Sequence, residues 1–314
     1  MQRRFAEAVR APSRTIAARP ARAPLDEGLG AIFRLVDDRP DDTPPSLRAY
    51  EAILVTVIVV EYWLRAVPKW GELPPHYYGL LAMATIVGPF ALAGRGRRVA
   101  FAALALSRAV LVWTDFPGVG NHAYLEVLLC ALAAFLDPAK PDEARLYIRG
   151  VRSMAVLVLA YSGIQKLAHG HYRHGEYLAF SLRNPSFRPL LRPLLSAGEY
   201  DRLTALTGAI GNGPYRVADR WFVAVANATW LSEMGFAVLL CVRRTRRIAI
   251  AGAAALLLAV EAAAREVFFG LVFADAVLLF APGTVQRAAL PFVCALLVVL
   301  ALSRLGAIPA ITFY

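Results

Sequence analysis

Uninterrupted apolar blocks, each of about the length of a bilayer-crossing helix, run along most of this chain, and a soluble fold has no use for so many. A hydrocarbon core of ~30 Å takes about 20 mostly apolar residues in helical form. Residues 49–67, 76–93, 98–113, 122–137, 150–168, 221–242, 247–265, 267–282 and 287–306 meet or approach that length. Inside a bilayer the backbone has no water to bond, so only helices or closed barrels cross it. Barrel strands alternate polar and apolar residues over short segments, whereas these blocks are continuous. Composition agrees, with 58% of the 314 residues hydrophobic and a mean hydropathy of +0.51. The expected fold is all-α: a polytopic helical membrane protein with about nine transmembrane helices plus an interfacial amphipathic helix. The 98–113 and 267–282 blocks are short and are expected to tilt or to enter only partway.

A net charge of +11 invites a nucleic-acid partner, but the arginines sit in the N-terminal tail and between the apolar blocks. Solvated, orienting charge explains that placement, so membrane lipid is the expected partner and nucleic acid is not. Cytoplasmic connections carry an excess of lysine and arginine. On a nine-crossing path one side collects the tail, Arg95, Arg97, Arg98, Lys140, Arg145, Arg149, Arg152, Arg243, Arg244, Arg246, Arg247 and Arg287. The 114–121 connection, on the other side, has no lysine or arginine. The N-terminus is then cytoplasmic and the C-terminus outside. Residues 169–220 run against the rule, holding Arg173, Arg183, Arg188, Arg192, Arg202, Arg216 and Arg220 on the outer side, although long loops obey it weakly. Within that loop Pro185–Leu206 is predicted as an amphipathic helix lying on the outer interface. Residues 1–48 are expected to be a largely disordered, Arg/Pro-rich tail without the apolar stretch of a signal peptide. Residues 49–314 then make a single transmembrane domain. Cys130, Cys241 and Cys294 fall inside apolar blocks and are expected to be small buried hydrophobes, not a disulfide or metal set.

Chemistry is expected where charge enters these blocks. Lys166 lies near the outer end of the fifth, where a charged side chain at bilayer depth costs roughly 2.5–3.5 kcal/mol on insertion scales. Asn121-His122 opens the fourth block at the same face. Two helices joined by a short cytoplasmic connection pack antiparallel, so Lys166 and His122 are expected to share an outward cavity as an acid/base pair. Desolvation lowers a lysine's pKa and leaves an amine able to accept a proton. The alternative is that Lys166 snorkels to the headgroups and His122 caps a helix, and spacing alone does not choose between them. Glu233 and Glu261 are carboxylates inside blocks, candidates for a proton relay, with Arg265 at i+4 as a partner for Glu261. Tyr62, Trp63, Trp70, Tyr77 and Tyr78 are predicted as an interfacial aromatic belt. His169, His171, His174 and Glu176 crowd one outer connection, yet no ligand set completes them and no metal is expected. Gly211-Asn-Gly213-Pro214 is predicted as a turn.

Two segments resemble a known family. Asn121-His122-Ala-Tyr124-Leu125, in a helix ending Leu136-Asp137, is similar to the Asn-His-x-Tyr-Leu segment of vitamin K-dependent γ-glutamyl carboxylases and the bacterial HTTM (horizontally transferred transmembrane) group. Tyr161-Ser-Gly163-Ile-Gln-Lys166-Leu167, with Tyr172 and Gly175, resembles that family's Tyr-x-x-x-Gly-x-x-Lys-Leu…Trp-x-x-Gly motif. Pro185-Ser-Phe187 with Leu190-Leu191 resembles the segment after it, and Glu233 falls where the family has an intramembrane acid. The likeness covers about residues 50–285. It implies an integral enzyme of a bacterial plasma membrane whose helices house reduced vitamin K or menaquinol. Lys166 would be the base that deprotonates the quinol, His122 would assist, and Asn121, Tyr124, Tyr161 and Gly163 would contact the cofactor. Oxygen then yields an epoxide, and in the carboxylases this step drives carboxylation of a peptide glutamate.

The departures are specific. The family's double lysine is Gln165-Lys166 here, one extra residue separates Lys166 from Gly175, and Tyr172 replaces tryptophan. A later membrane histidine is replaced near Glu261. The chain stops at Tyr314 without the β-rich domain that binds the carboxylases' propeptide, so quinol oxidation is expected rather than glutamate carboxylation, with a peptide or small product as the modified partner. The alternatives are a non-catalytic membrane scaffold or maturation partner, and a small transporter using Lys166, Glu233 and Glu261.

Overall fold

The computed structural model describes residues 46–116, 121–208, 210, 214–264 and 266–307. The expected tail lies outside the described residues as far as residue 45, as do Arg265 and residues 211–213 of the predicted turn. The described residues are helical, with no strand among them. The helices are α1 (Leu47–Ala66), α2 (Pro75–Ala93), α3 (Arg97–Asp115), α4 (Asn121–Phe135), α5 (Pro141–His169), α6 (Glu176–Ser181), α7 (Arg188–Leu191), α8 (Ala197–Ala205), α9 (Arg220–Cys241), α10 (Arg246–Ala264), α11 (Val267–Leu278) and α12 (Gly283–Arg304).

Every apolar block became a helix, and local chemistry sets the ends. The Ser46 hydroxyl accepts from Ala49 N at 3.3 Å to cap α1, Pro75 and Pro141 open α2 and α5, and Gly94 and Gly170 close them in the left-handed region. Helix α5 starts well before its apolar block and takes in Arg145, Arg149 and Arg152. Pro185–Leu206 is not the single helix predicted. It forms two short ones, α7 and α8, because Pro193 lacks the N–H that a continuing helix needs.

Among the described residues three helices are long and apolar enough to cross a membrane: α2, α9 and α12. Only 33%, 22% and 22% of their apolar windows are buried within the protein, so most of that greasy surface faces outward. Phe90, Leu106, Trp113, Trp221, Val238 and Phe292 are among the exposed large side chains. Helix α11 has the opposite character. It is apolar nearly all round and packs on α1, α4, α5, α10 and α12, which places it at the centre of the bundle. The broadest contacts are α3 on α4 and α5 on α9, whereas α4 and α5 touch only lightly.

Arginines tie off one end of the bundle. Arg97 pairs with Glu51 and donates to the carbonyls of Ala133 (2.8 Å) and Leu136 (2.9 Å) at the end of α4. Arg152 donates to Leu279 O after α11, Arg246 donates to Leu240 O near the end of α9, and both guanidinium groups lie over the Phe280 ring. These bonds satisfy C-terminal carbonyls that a helix leaves open.

Ala179, Leu182, Leu191, Leu203 and Tyr215 of residues 169–220 build a second small core together with Phe222 of α9. Arg202 latches it: its Nε and Nη2 fork the Glu199 carboxylate (2.8 and 2.7 Å), and it also donates to Pro214 O and Arg216 O. That bonding to Arg202 holds the Glu199 carboxyl below the usual range. A carboxyl lowered in the folded state stabilises above its unfolded pKa and loses that contribution as pH falls through the folded one. Protease nicking within 197–219 is therefore expected to accelerate on acidification below about pH 4. Glu199→Gln is expected to be nicked readily at neutral pH, with a flatter acid response.

Candidate functional site

Lys166 sits in the last turn of α5, where its Nζ donates to Ser162 Oγ at 2.9 Å and pairs with the Glu233 carboxylate of α9 through Oε1. The ammonium lies 5.6 Å from the centre of the Tyr172 ring, which stacks on Tyr177 at 4.9 Å. The lysine side chain keeps 21% of its surface and Glu233 9%. The other carboxylate oxygen, Glu233 Oε2, is buried with no hydrogen-bond partner. An ion pair with one unused, buried acceptor is thus the chemical content of this end of α5 and α9.

Gly163 makes that pair possible. A Cβ there would stand 2.9 Å from Trp230 O and 2.5 Å from Met234 Cγ, so its absence lets α9 come within reach of Lys166. The glycine thus serves the crossing of α5 and α9. Gly163→Ala is expected to cost about 1–3 kcal/mol by overpacking, read as a lower melting temperature in detergent. Gly79→Ala, where a Cβ meets nothing within 4 Å, is the control and should melt no earlier than the parent.

His122 belongs to a different group. Its Nε2 meets Glu61 Oε1 at 2.8 Å, and Arg65 also reaches that oxygen at 2.7 Å. Glu61 Oε2 takes Arg108, which pairs in turn with Glu126. Arg108, Glu61 and Glu126 have no exposed surface. Tyr62 bonds Ser107 Oγ at 2.8 Å, lies under the Arg108 guanidinium at 4.9 Å, and meets Tyr77 edge-on. Tyr62 and Tyr77 are therefore buried parts of this network, not members of the predicted aromatic belt. Trp63, Trp70 and Tyr78 do form an aromatic group, with Trp63 and Trp70 exposed.

Among the described residues no hydrogen bond or ion pair joins Lys166 to His122. The expected antiparallel pairing of α4 with α5 is replaced by α4 on α3, through Arg108–Glu126, and α5 on α9, through Lys166–Glu233. Tyr161 is 68% exposed and Tyr124 40% exposed; the Asn121 side chain lies outside the described residues. Glu261 has no hydrogen-bond partner on either oxygen. A Cβ on Gly270 would collide with its carboxylate, so the glycine leaves it room. His171 Nδ1 lies 3.4 Å from Glu176, which also accepts from Arg216 at 3.1 Å.

Sequence reasoning missed Glu61, Arg108 and Glu126. The signal was present, since each is ionisable and sits inside an apolar block, the same criterion that singled out Lys166. Comparison with protein-family models, curated proteins and solved structures finds no match for this chain.

Proposed function

We propose that this chain is an integral membrane enzyme of nine crossings, N-terminus cytoplasmic, that oxidises a quinol such as menaquinol or reduced vitamin K at the outer face of a bacterial plasma membrane. Lys166 is its base and Glu233 the store for the proton. The observation that carries this is the Lys166–Glu233 pair with its unused, buried Oε2. A quinol hydroxyl is a donor of the kind that oxygen lacks, and the Tyr172 ring beside the amine suits a flat aromatic guest. Lys166, Glu233 and Tyr172 would hold the quinol.

A bound quinol supplies two phenolic protons and the two electrons that go to oxygen. In the ion pair, the ammonium passes a proton to Glu233, leaving an amine beside a carboxylic acid. The amine then takes the phenolic proton, so the pair ends as ammonium and carboxylic acid with one proton more than at rest. The first transfer leaves no net charge on the pair, and after the second the counter-charge to the ammonium is the quinolate beside it. His122, held by Glu61, assists from the neighbouring network. The balance for the whole reaction is quinol plus dioxygen giving quinone epoxide plus water.

Purified protein in lipid, supplied with menaquinol and oxygen, is expected to form the epoxide, with products separated by chromatography and identified by mass. Quinol that autoxidises to quinone at the rate of protein-free lipid sinks the proposal.

A further inference from the structure

Buried polar groups away from Lys166 run through the bundle from one end to the other. Helix α4 carries His122, Glu126 and Cys130 at successive i, i+4 positions, hence on one face. At the His122 end this face meets Glu61 and Arg108. Deeper in, Cys130 lies one helical turn from Glu126, in the same buried core as Tyr50 of α1 and Tyr147 of α5. Those two phenols meet edge-on at 6.0 Å, and their helices α1 and α5 both pack on the central helix α11, which carries buried Asp275; Glu51 follows Tyr50 in α1. Glu51 is the partner of Arg97 at the arginine-rich end. Helices α1, α3, α4, α5 and α11 thus each contribute to one polar line.

The line is short of hydrogen bonds. Arg108 Nη1, Glu126 Oε1, Tyr50 OH, Tyr147 OH and both Asp275 oxygens are buried without a partner, all on residues exposed by 2% or less. Each such atom has given up its hydration with no bond in return, so a row of them calls for bridging water, which polar interiors hold and apolar ones do not. Among the described residues no cation pairs with Asp275. A lone carboxylate at that depth is neutralised most simply by a proton.

We propose that this line is a proton pathway through the membrane, with Asp275 and Glu126 as its proton-carrying carboxylates and buried water bridging them past Tyr50 and Tyr147. It shares no hydrogen bond with the Lys166–Glu233 pair and does not depend on quinol chemistry.

The test is proton flux into liposomes containing the full chain, with a pH-sensitive dye inside and a potassium gradient with ionophore as the driving force. Flux above that of empty liposomes is expected. Asp275→Asn and Glu126→Gln should each lower it at least tenfold, and Asp275→Glu should retain it. Asparagine has the shape of the neutral aspartic acid, so the Asp275→Asn variant is expected to fold, which a melting curve verifies. Wild-type flux no greater than in empty liposomes, or unchanged flux in Asp275→Asn, overturns the proposal. So does uptake of labelled sodium that Asp275→Asn abolishes, since the cation carried is then not the proton. Quinol oxidation measured on the same liposomes separates the two ideas: oxidation without flux removes only the pathway, and flux without oxidation removes only the Lys166 chemistry.

Discussion

Lys166→Ala is expected to lower the turnover number for quinol oxidation by about 10²–10⁴, the usual contribution of a positioned general base. Lys166→Arg discriminates between roles. A guanidinium keeps the ion pair with Glu233 but does not give up its proton at any working pH. If Lys166 only braced α5 against α9, arginine would rescue both stability and activity. As a base it is not replaced, so Lys166→Arg should melt near the parent temperature and be nearly as slow as Lys166→Ala. Glu233→Gln removes the proton store and leaves an amide beside the lysine. Its expected effect falls on the turnover number more than on KM, because both the amide and the carboxylate can accept a bond from the quinol hydroxyl.

The second large effect is on folding. Among the described residues Arg108 alone pairs with both Glu61 and Glu126, and all three are sealed from solvent. Arg108→Ala leaves Glu126 with no cation and strips one from Glu61, and breaking a buried pair from one side costs about 3–5 kcal/mol. Glu61 keeps Arg65 and His122, so the damage centres on Glu126. The double change Arg108→Leu with Glu126→Leu should recover most of the loss, since a buried pair replaced by apolar groups of similar size is often neutral or better. Melting temperatures in one detergent decide it: a double variant no more stable than Arg108→Ala contradicts the assignment of the loss to Glu126.

The helices themselves were legible in the sequence. Apolar run length placed every one of the nine blocks, and proline and glycine marked the ends of α2 and α5. Which helix lies beside which was not legible. In a greasy environment apolar area does not choose partners; small residues and buried polar contacts do. Gly163 shows the difficulty. Its spacing to Lys166 is that of a motif, and what it does in the fold is admit the Trp230 carbonyl. Lys166 and Glu233 were each identifiable as charges in apolar blocks, but their pairing depends on that crossing. Glu61, Arg108 and Glu126 are as visible as Lys166 by the same rule, each being an ionisable residue within an apolar block. The Pro185–Leu206 segment failed for another reason: its amphipathic pattern is real, but Pro193 overrides it locally.

Infrared difference spectra of the protein in lipid, recorded as menaquinol is added without oxygen, test the Lys166–Glu233 proton store most directly. A new protonated-carboxyl band is expected in the parent and should disappear in Glu233→Gln. Quinol that binds with no such band, or a band that persists in Glu233→Gln, contradicts the proposal.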